Sequence, residues 1–303
     1  MCVVGAGAIG SLFAGHLARV CDVWVLARRP EHAWALEQDG LRVTRRDGEF
    51  TARVRATHAV REVGEIDLVI LATKATGLDA ACSALAGCLE GATVMTVQNG
   101  LGAEEVVAGY GAWPLVSAVT FMSGTRHSDT HVEYILDTAT WLGPYRDTTY
   151  EDVQAIAELL VAAGLKAEAL PDLRPAQWSK LIFNATVNAV AALTGLPHDP
   201  HFAAEERADD LGRLVHGLVD EGKRIAAAAG VELHDDPWEM NVLATQRGSA
   251  HYPSMLEDVE AGRATEVDLI TGALVREAAR HGVEAPLHTA MSALVKGREA
   301  SYS

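Results

Sequence analysis

The sequence predicts an α/β protein, an N-terminal doubly wound sheet of the Rossmann type followed by an all-helical domain. Three observations carry that prediction. The chain opens with a short β-rich run, a glycine-spaced turn and a helical segment. Short apolar strands then alternate with helical stretches as far as Pro171, the pattern of a parallel sheet covered on both faces. From Asp172 onward the β signal stops and helical periodicity takes over. The boundary therefore falls at 171/172, giving a nucleotide-binding domain over 1–171 and a helical substrate and catalytic domain over 172–303. A chain of 303 residues has room for two such cores.

The first ten residues read MCVVGAGAIG, with a helix predicted over 11–20. A strand, then Gly5, Gly7 and Gly10, then a helix is the context the dinucleotide fingerprint requires. One glycine makes the tight turn, one lets backbone approach a pyrophosphate, and one lets helix and strand pack closely. Cofactor contacts are therefore expected from Gly5, Gly7, Ala8, Ile9 and Gly10, an ordinary glycine-rich βα turn being the plain alternative. A second strand over 22–26 ends at Ala27-Arg28-Arg29. NAD-selective sites usually place an acid about 20 residues beyond the glycines, on the ribose 2′-hydroxyl. Arg28 stands there instead, with Arg29 beside it, and a guanidinium suits a 2′-phosphate; the residues point to NADP(H).

The apolar run 66–74 ends in Lys74, at the carboxyl end of a buried strand where such sheets place ligand-binding groups. A helix over 78–89 leads to a strand over 92–97, which ends in Gln98-Asn99-Gly100-Leu101-Gly102. Asn99 is positioned there to touch cofactor, or simply to form an Asn-Gly turn. Strands over 115–122, 132–136 and 140–142, a helix over 151–163 and a strand over 166–170 complete the half.

In the second half, helices are predicted over 174–193, 204–229, 266–281 and 288–299. The stretch QWSKLIFNATVNAVAAL, residues 177–193, is the most informative. Lys180, Asn184 and Asn188 fall at i, i+4 and i+8, so they climb one side of the helix with about 40° of drift per step. They form either a solvated stripe or a wall of a polar pocket. Asn is a mediocre interior helix residue, which gives the pocket its appeal. Further on, SMLEDVEAG is followed by Arg263-Ala264-Thr265-Glu266-Val267-Asp268. By spacing alone, Thr265 caps the next helix with Asp268 at the capping-box position, and Glu266 is a first-turn acid.

A net charge of −16 argues against nucleic acid and anionic membranes as partners. It also requires that an anionic ligand be held by local cations. Cys2, Cys21, Cys82 and Cys88 show no CxxC pair and no His/Cys cluster, so reduced thiols and no metal site are expected. The apolar start lacks a basic leader and is broken by glycines, so neither a signal peptide nor a membrane span is expected, and the location is taken as cytoplasmic.

Together these motifs resemble the ketopantoate reductase family (2-dehydropantoate 2-reductases), and the resemblance runs nearly end to end. It rests on GAGAIG at 5–10, Lys74 after a buried strand, QNGLG at 98–102, KLIFNATVN at 180–188 and SMLEDVEAGRATEVD at 254–268. The last two together are the specific part. The resemblance implies a Rossmann domain, a helical domain, an active site in the cleft between them, and NADPH-dependent reduction of ketopantoate to D-pantoate on the route to coenzyme A. It makes Lys180 the catalytic lysine and Glu266 the second active-site acid, which also faces the cofactor. Asn184, Asn188 and Ser254 become substrate-binding groups. Asn99 and Lys74 face the cofactor and the active site, Asn99 touching substrate as well, and Arg28 becomes the 2′-phosphate contact. Two departures leave the substrate open: Pro286-Leu287-His288, where the family often has Asn shortly after the proline, and the His- and Trp-containing segment 121–145. A reductase of another branched 2-keto acid, such as 2-ketoisovalerate, is the alternative. A non-catalytic NADPH-binding sensor is a more distant one, disfavoured by the intact Lys180 and Glu266. Monomer and homodimer both stay open.

Overall fold

The computed structural model describes residues 1–89, 91–203, 210–246 and 252–302. The chain falls into two compact units, one holding 1–98 and 103–173, the other 99–102 and 174–303.

The first unit carries strands β1 (Cys2–Val4), β2 (Trp24–Leu26), β3 (Leu41–Arg45), β4 (Gly48–Ala52), β5 (Arg55–Thr57), β6 (Leu68–Leu71), β7 (Thr93–Thr96), β8 (Leu115–Thr120), β9 (Ser123–Ser128), β10 (His131–Leu136), β11 (Thr140–Arg146) and β12 (Ala167–Ala169). Its helices are α1 (Ala8–Leu17), α2 (Pro30–Asp39), α3 (Leu78–Leu85), α4 (Ala103–Ala108) and α5 (Tyr150–Ala162). The large sheet has the order β12-β11-β8-β7-β6-β1-β2-β5. It is parallel from β8 to β5, and β11 pairs antiparallel with β8. The chain leaves β1 toward β2 and later returns to β6 on the other side of β1. That reversal makes the carboxyl end of β1 the switch point at which open α/β sheets bind ligands. The central strands are apolar and fully buried, as a sheet covered on both faces demands.

A second, four-stranded sheet has the order β4-β3-β10-β9; the sequence expectation holds only its β10, as the strand over 132–136. Strands β3, β4 and β9 are short and half polar, and β9 (SGTRHS) is mostly exposed, so hydrophobic patterning hardly marks those three. The sheet packs on α1 so closely that a Cβ on Gly15 would meet Val43 Cγ2 at 2.5 Å. The unusual segment 121–145 supplies β9, β10 and most of β11. Its histidines point outward: His127 Nε2 lies 2.8 Å from Glu133 Oε2, and His131 Nε2 lies 2.9 Å from Thr44 Oγ1. Helix α1 starts at Ala8, inside the glycine motif and not at residue 11. Gly7 is its extended N-cap (φ −77°, ψ −174°), so Ala8 and Ile9 already take helical geometry.

The second unit is helical: α6 (Arg174–Thr194), α7 (Asp210–Ala228), α8 (Pro237–Thr245), α9 (Ser254–Glu260), α10 (Thr271–Arg280) and α11 (Pro286–Glu299). Helix α6 is its axis. Most of its residues are buried, and Trp178, Leu181, Ile182, Ala185, Ala189 and Val190 pack into one core with Val215 and Leu218 of α7, Leu256 of α9 and Leu274 of α10. A Cβ on Gly222 of α7 would stand 2.6 Å from Ile182, so this glycine sets how near α7 approaches α6. Residues 204–209 of the predicted helix over 204–229 lie outside the described residues. The helix predicted from Glu266 begins only at Thr271. The Thr265 hydroxyl accepts from the Val267 N–H, two residues on, and Asp268 pairs with Lys296 at 2.5 Å. The capping box does not form, and Glu266 is no first-turn acid. Among the described residues no helix is long and apolar enough to cross a membrane, and no cluster of His, Cys, Asp or Glu is placed to hold a metal.

The departure at His288 has a structural explanation. Glu221 of α7, 1 % exposed, accepts from the backbone N–H groups of Leu287 (3.1 Å) and His288 (2.8 Å) and lies 2.9 Å from His288 Nδ1. A buried carboxylate thus caps the first turn of α11, with the imidazole as a third partner. Burial pushes this carboxyl up, and the hydrogen bonds from His288 and Leu287 outweigh it, so the net direction is down. A carboxyl held below its unfolded value stabilises above that value and loses the contribution as pH falls. Glu221→Ala should cost about 3–5 kcal/mol in denaturant unfolding. It should also flatten the loss of stability on acidification through the carboxylate range; an equally steep acid limb would remove Glu221 as its source.

Candidate active site

Two groups of predicted residues are brought together, one in each unit. In the first unit the glycine motif sits at the carboxyl end of β1. A Cβ on Gly10 would come 1.9 Å from the Gly5 carbonyl oxygen, so only glycine fits where α1 crosses the turn. A Cβ on Gly7 would meet nothing within 4 Å. Gly7 is exposed, and no side chain caps the first N–H groups of α1. The motif therefore presents open space in front of unsatisfied donors and the positive end of a helix dipole, an anion-binding geometry.

At the carboxyl end of β2 the two adjacent arginines part company. Arg29 Nη2 donates to both carboxylate oxygens of Asp129, at 2.5 and 2.7 Å. Arg28 is exposed and makes no hydrogen bond or ion pair among the described residues. Lys74 is exposed just after β6, where it opens the short turn Ala75–Gly77. Gln98 ends the strand β7 region with its Nε2 donating to the carbonyls of Leu71 (2.8 Å) and Thr73 (3.0 Å), which ties the ends of β6 and β7 together.

The second unit holds the charged centre. Lys180 on α6 is 7 % exposed and donates to Asn99 Oδ1 at 2.7 Å. The other end of the same amide, Nδ2, donates to Glu266 Oε2 at 3.2 Å. The two charges fix the Asn99 amide: oxygen toward the ammonium, nitrogen toward the carboxylate. Asn99 reaches this position because its loop is seated on the turn before α10. Leu101 N–H donates to the Leu269 carbonyl at 2.9 Å, and a Cβ on Gly100 (φ +96°) would fall 1.8 Å from that same oxygen. Burial drives the Lys180 ammonium down to about 8, and the negative charge of Glu266 opposes the shift.

Asn184 and Asn188, 9 % and 6 % exposed, continue the line from Lys180 along α6. Neither side chain has a hydrogen-bond partner among the described residues. Two buried amides without protein partners cost stability unless a ligand or water meets them. Ser254 is exposed at the first position of α9, which packs against α6. Sequence reasoning did not anticipate the aromatic flank beside this line. Phe183, one turn from Lys180, meets His198 edge-on at 5.9 Å, and His198 meets Phe202 at 5.3 Å. Asn241 locks that histidine through Nε2 at 2.7 Å. Phe183 and Asn241 lie too far along the chain from His198 for any spacing to announce the group.

This arrangement, an anion-binding glycine turn on an α/β sheet and a buried lysine on a helical unit, defines a dinucleotide-dependent oxidoreductase frame. Residues 1–147 match the family model for ketopantoate reductase PanE/ApbA, and residues 172–299 match the model for the C-terminal part of the same family. The chain belongs to the ketopantoate reductase family. It is 30% identical to the 2-dehydropantoate 2-reductase of Pyrococcus horikoshii over 98% of this chain and 96% of the relative. A PanE/ApbA family ketopantoate reductase from Ralstonia eutropha superposes with a TM-score of 0.89 at 27% identity, covering 100% of this chain and 99% of that one. The 2-dehydropantoate 2-reductase from Geobacter metallireducens superposes with a TM-score of 0.87 at 29% identity, covering 98% and 99%.

The two glycines separate packing from binding. Gly10→Ala should lower the thermal midpoint by several degrees, about 1–3 kcal/mol of overpacking. Gly7→Ala, at an ordinary φ and facing open space, should leave the midpoint nearly unchanged. Equal losses in calorimetry would show that Gly7 is also a packing glycine.

Proposed function

We propose that this chain is an NADPH-dependent 2-keto acid reductase whose first substrate is 2-dehydropantoate, reduced to D-pantoate for pantothenate and coenzyme A synthesis. The observation that carries the reading is the buried Lys180 ammonium in file with two partnerless amides. A surface stripe would be solvated, and a packing helix would not hold Asn at two buried positions.

The first unit fits a nicotinamide dinucleotide. Gly5, Gly7, Ala8, Ile9 and Gly10 would present backbone to the pyrophosphate, the open volume at Gly7 admitting it. Arg28 would hold the 2′-phosphate, and its freedom from any acid supports that role over Arg29. The cofactor, when bound, supplies the hydride.

The remaining chemistry belongs to the protein. Negative charge grows on the ketone oxygen as hydride arrives, and an ammonium pointed at it stabilises that charge and then delivers a proton. An ordinary lysine is a poor donor near neutral pH; one lowered to about 8 is well matched to the task. Asn99 and Glu266 hold Lys180 in place: the amide accepts from the ammonium and passes its own N–H to the carboxylate. Asn184, Asn188 and Ser254 would bind the carboxylate and hydroxyl of the substrate and so fix the face that is reduced. Lys180 and Lys74 would supply the local positive charge that an anionic keto acid needs on a protein of net charge −16.

Lys180→Ala should reduce kcat by about 10²–10⁴-fold while NADPH still binds. Unchanged turnover would end this mechanism. The rate should fall as pH rises through about 8, where Lys180 loses its proton. Because Glu266 raises the lysine, Glu266→Gln should move that alkaline limb to lower pH; a limb that stays put would remove Glu266 from the proton inventory. Arg28→Ala should raise the NADPH KM about tenfold or more and the NADH KM little. NADPH oxidation with 2-dehydropantoate and 2-ketoisovalerate side by side settles the substrate: preference for the second keeps the chemistry and changes the pathway.

A further inference from the structure

Asp129 occupies the turn between β9 and β10, a hundred residues from the arginines at the end of β2. Its Oδ1 accepts from Arg29 Nη2 at 2.5 Å and from Arg126 Nη1 at 2.7 Å, and its Oδ2 accepts from Arg29 Nη2 at 2.7 Å. Its backbone oxygen lies 2.8 Å from His32 Nε2, in the first turn of α2. The hairpin tip is thus pinned against the start of α2, beside the residue that offers the unpaired guanidinium, Arg28. Arg29 has extended backbone (φ −101°, ψ 133°), which sends adjacent side chains to opposite sides. Arg29 is drawn to the hairpin while Arg28 stays clear of it. Both paired arginines nevertheless keep much of their side chains in solvent, 48% for Arg29 and 38% for Arg126. Glu31, an exposed acid, lies in the same turn of α2.

We propose that Asp129 sets the preference between phosphorylated and unphosphorylated nicotinamide dinucleotides, by holding Arg29 and Arg126 in ion pairs that compete with a 2′-phosphate at Arg28. The proposal rests on the reading of Arg28 given above. A dianionic phosphate on Arg28 lies one residue from Arg29, well inside the Debye length of about 10 Å at 0.1 M salt. It therefore feels the Asp129 carboxylate as repulsion, and it finds one neighbouring guanidinium already committed. A cofactor without the phosphate feels neither. The hairpin acts as a counterweight: it keeps the arginine-rich edge from binding every polyanion, and in doing so narrows the margin between NADPH and NADH.

The test is fluorescence titration of NADPH and NADH against the full chain. Asp129→Asn keeps the shape and removes the charge. It should tighten NADPH about three- to tenfold and leave NADH within about twofold. Glu158→Gln, an equal charge change at an exposed position on α5, should move neither. Arg29→Gln should cost little in the wild type, where Arg29 is occupied, yet reduce the gain in the Asp129→Asn background to the part that comes from relief of repulsion alone. Because the expected change is a gain of affinity, a misfolded variant cannot imitate it. An unchanged NADPH to NADH ratio in Asp129→Asn would overturn the proposal while sparing Arg28. Weaker NADPH binding would overturn it too, since the aspartate would then be placing the arginines. If Arg28→Ala leaves the ratio of the two cofactors untouched, the phosphate-clamp reading falls first and takes this one with it.

Discussion

The second unit is organised by the cost of keeping an ammonium out of water. Lys180 sits on α6, most of whose residues are buried, and an unpaired charge there would be destabilising by several kcal/mol. Asn99 accepts from it at 2.7 Å and donates to Glu266 at 3.2 Å, and the negative charge of Glu266 offsets the ammonium. Much of the local structure serves this arrangement. The 99–102 loop is held by the Leu269 carbonyl, which needs glycine at 100, and the turn at 265–270 delays the start of α10 so that Glu266 is not consumed as a helix-capping acid. The same partial desolvation that burdens the fold lowers Lys180 into the range where it can give up a proton.

The first unit meets a different constraint. On a protein with a strong negative charge, an anion bound at the glycine turn would be met by geometry before charge. The open space at Gly7, the uncapped start of α1 and the switch point beside β1 build a local positive site from backbone groups alone. Side-chain cations are added sparingly: among the described residues Arg28 has no hydrogen bond or ion pair, and Arg29 and Arg126 are tied to Asp129.

The glycine motif, the buried strands 66–74 and 92–97 and the Lys180, Asn184, Asn188 line were legible because each depends on spacing within one element. Of the small sheet only β10 was, as the strand over 132–136. Strands β3, β4 and β9 are too short and too polar for period-two patterning, and β3 pairs with β10 from nearly ninety residues away. Thr265 and Asp268 have the spacing of a capping box, yet that local preference lost to tertiary pairing, Asp268 with Lys296 and the Thr265 N–H with Glu299 Oε1. His288 looked anomalous in sequence and proves to be part of a buried cap whose other half, Glu221, lies on a different helix.

The sequence by itself determined the fold class, the place of the anion-binding turn and the helix that carries the lysine, because these follow from backbone sterics and hydrophobic periodicity over a few residues. Tertiary structure alone decided that Arg29 is taken up by Asp129, and that the Asn99 amide is the bridge that accepts from Lys180 and donates to Glu266. Those outcomes depend on which distant charges and carbonyls are brought within about 3 Å, the range where hydrogen bonds and ion pairs act, and no spacing along the chain encodes that distance.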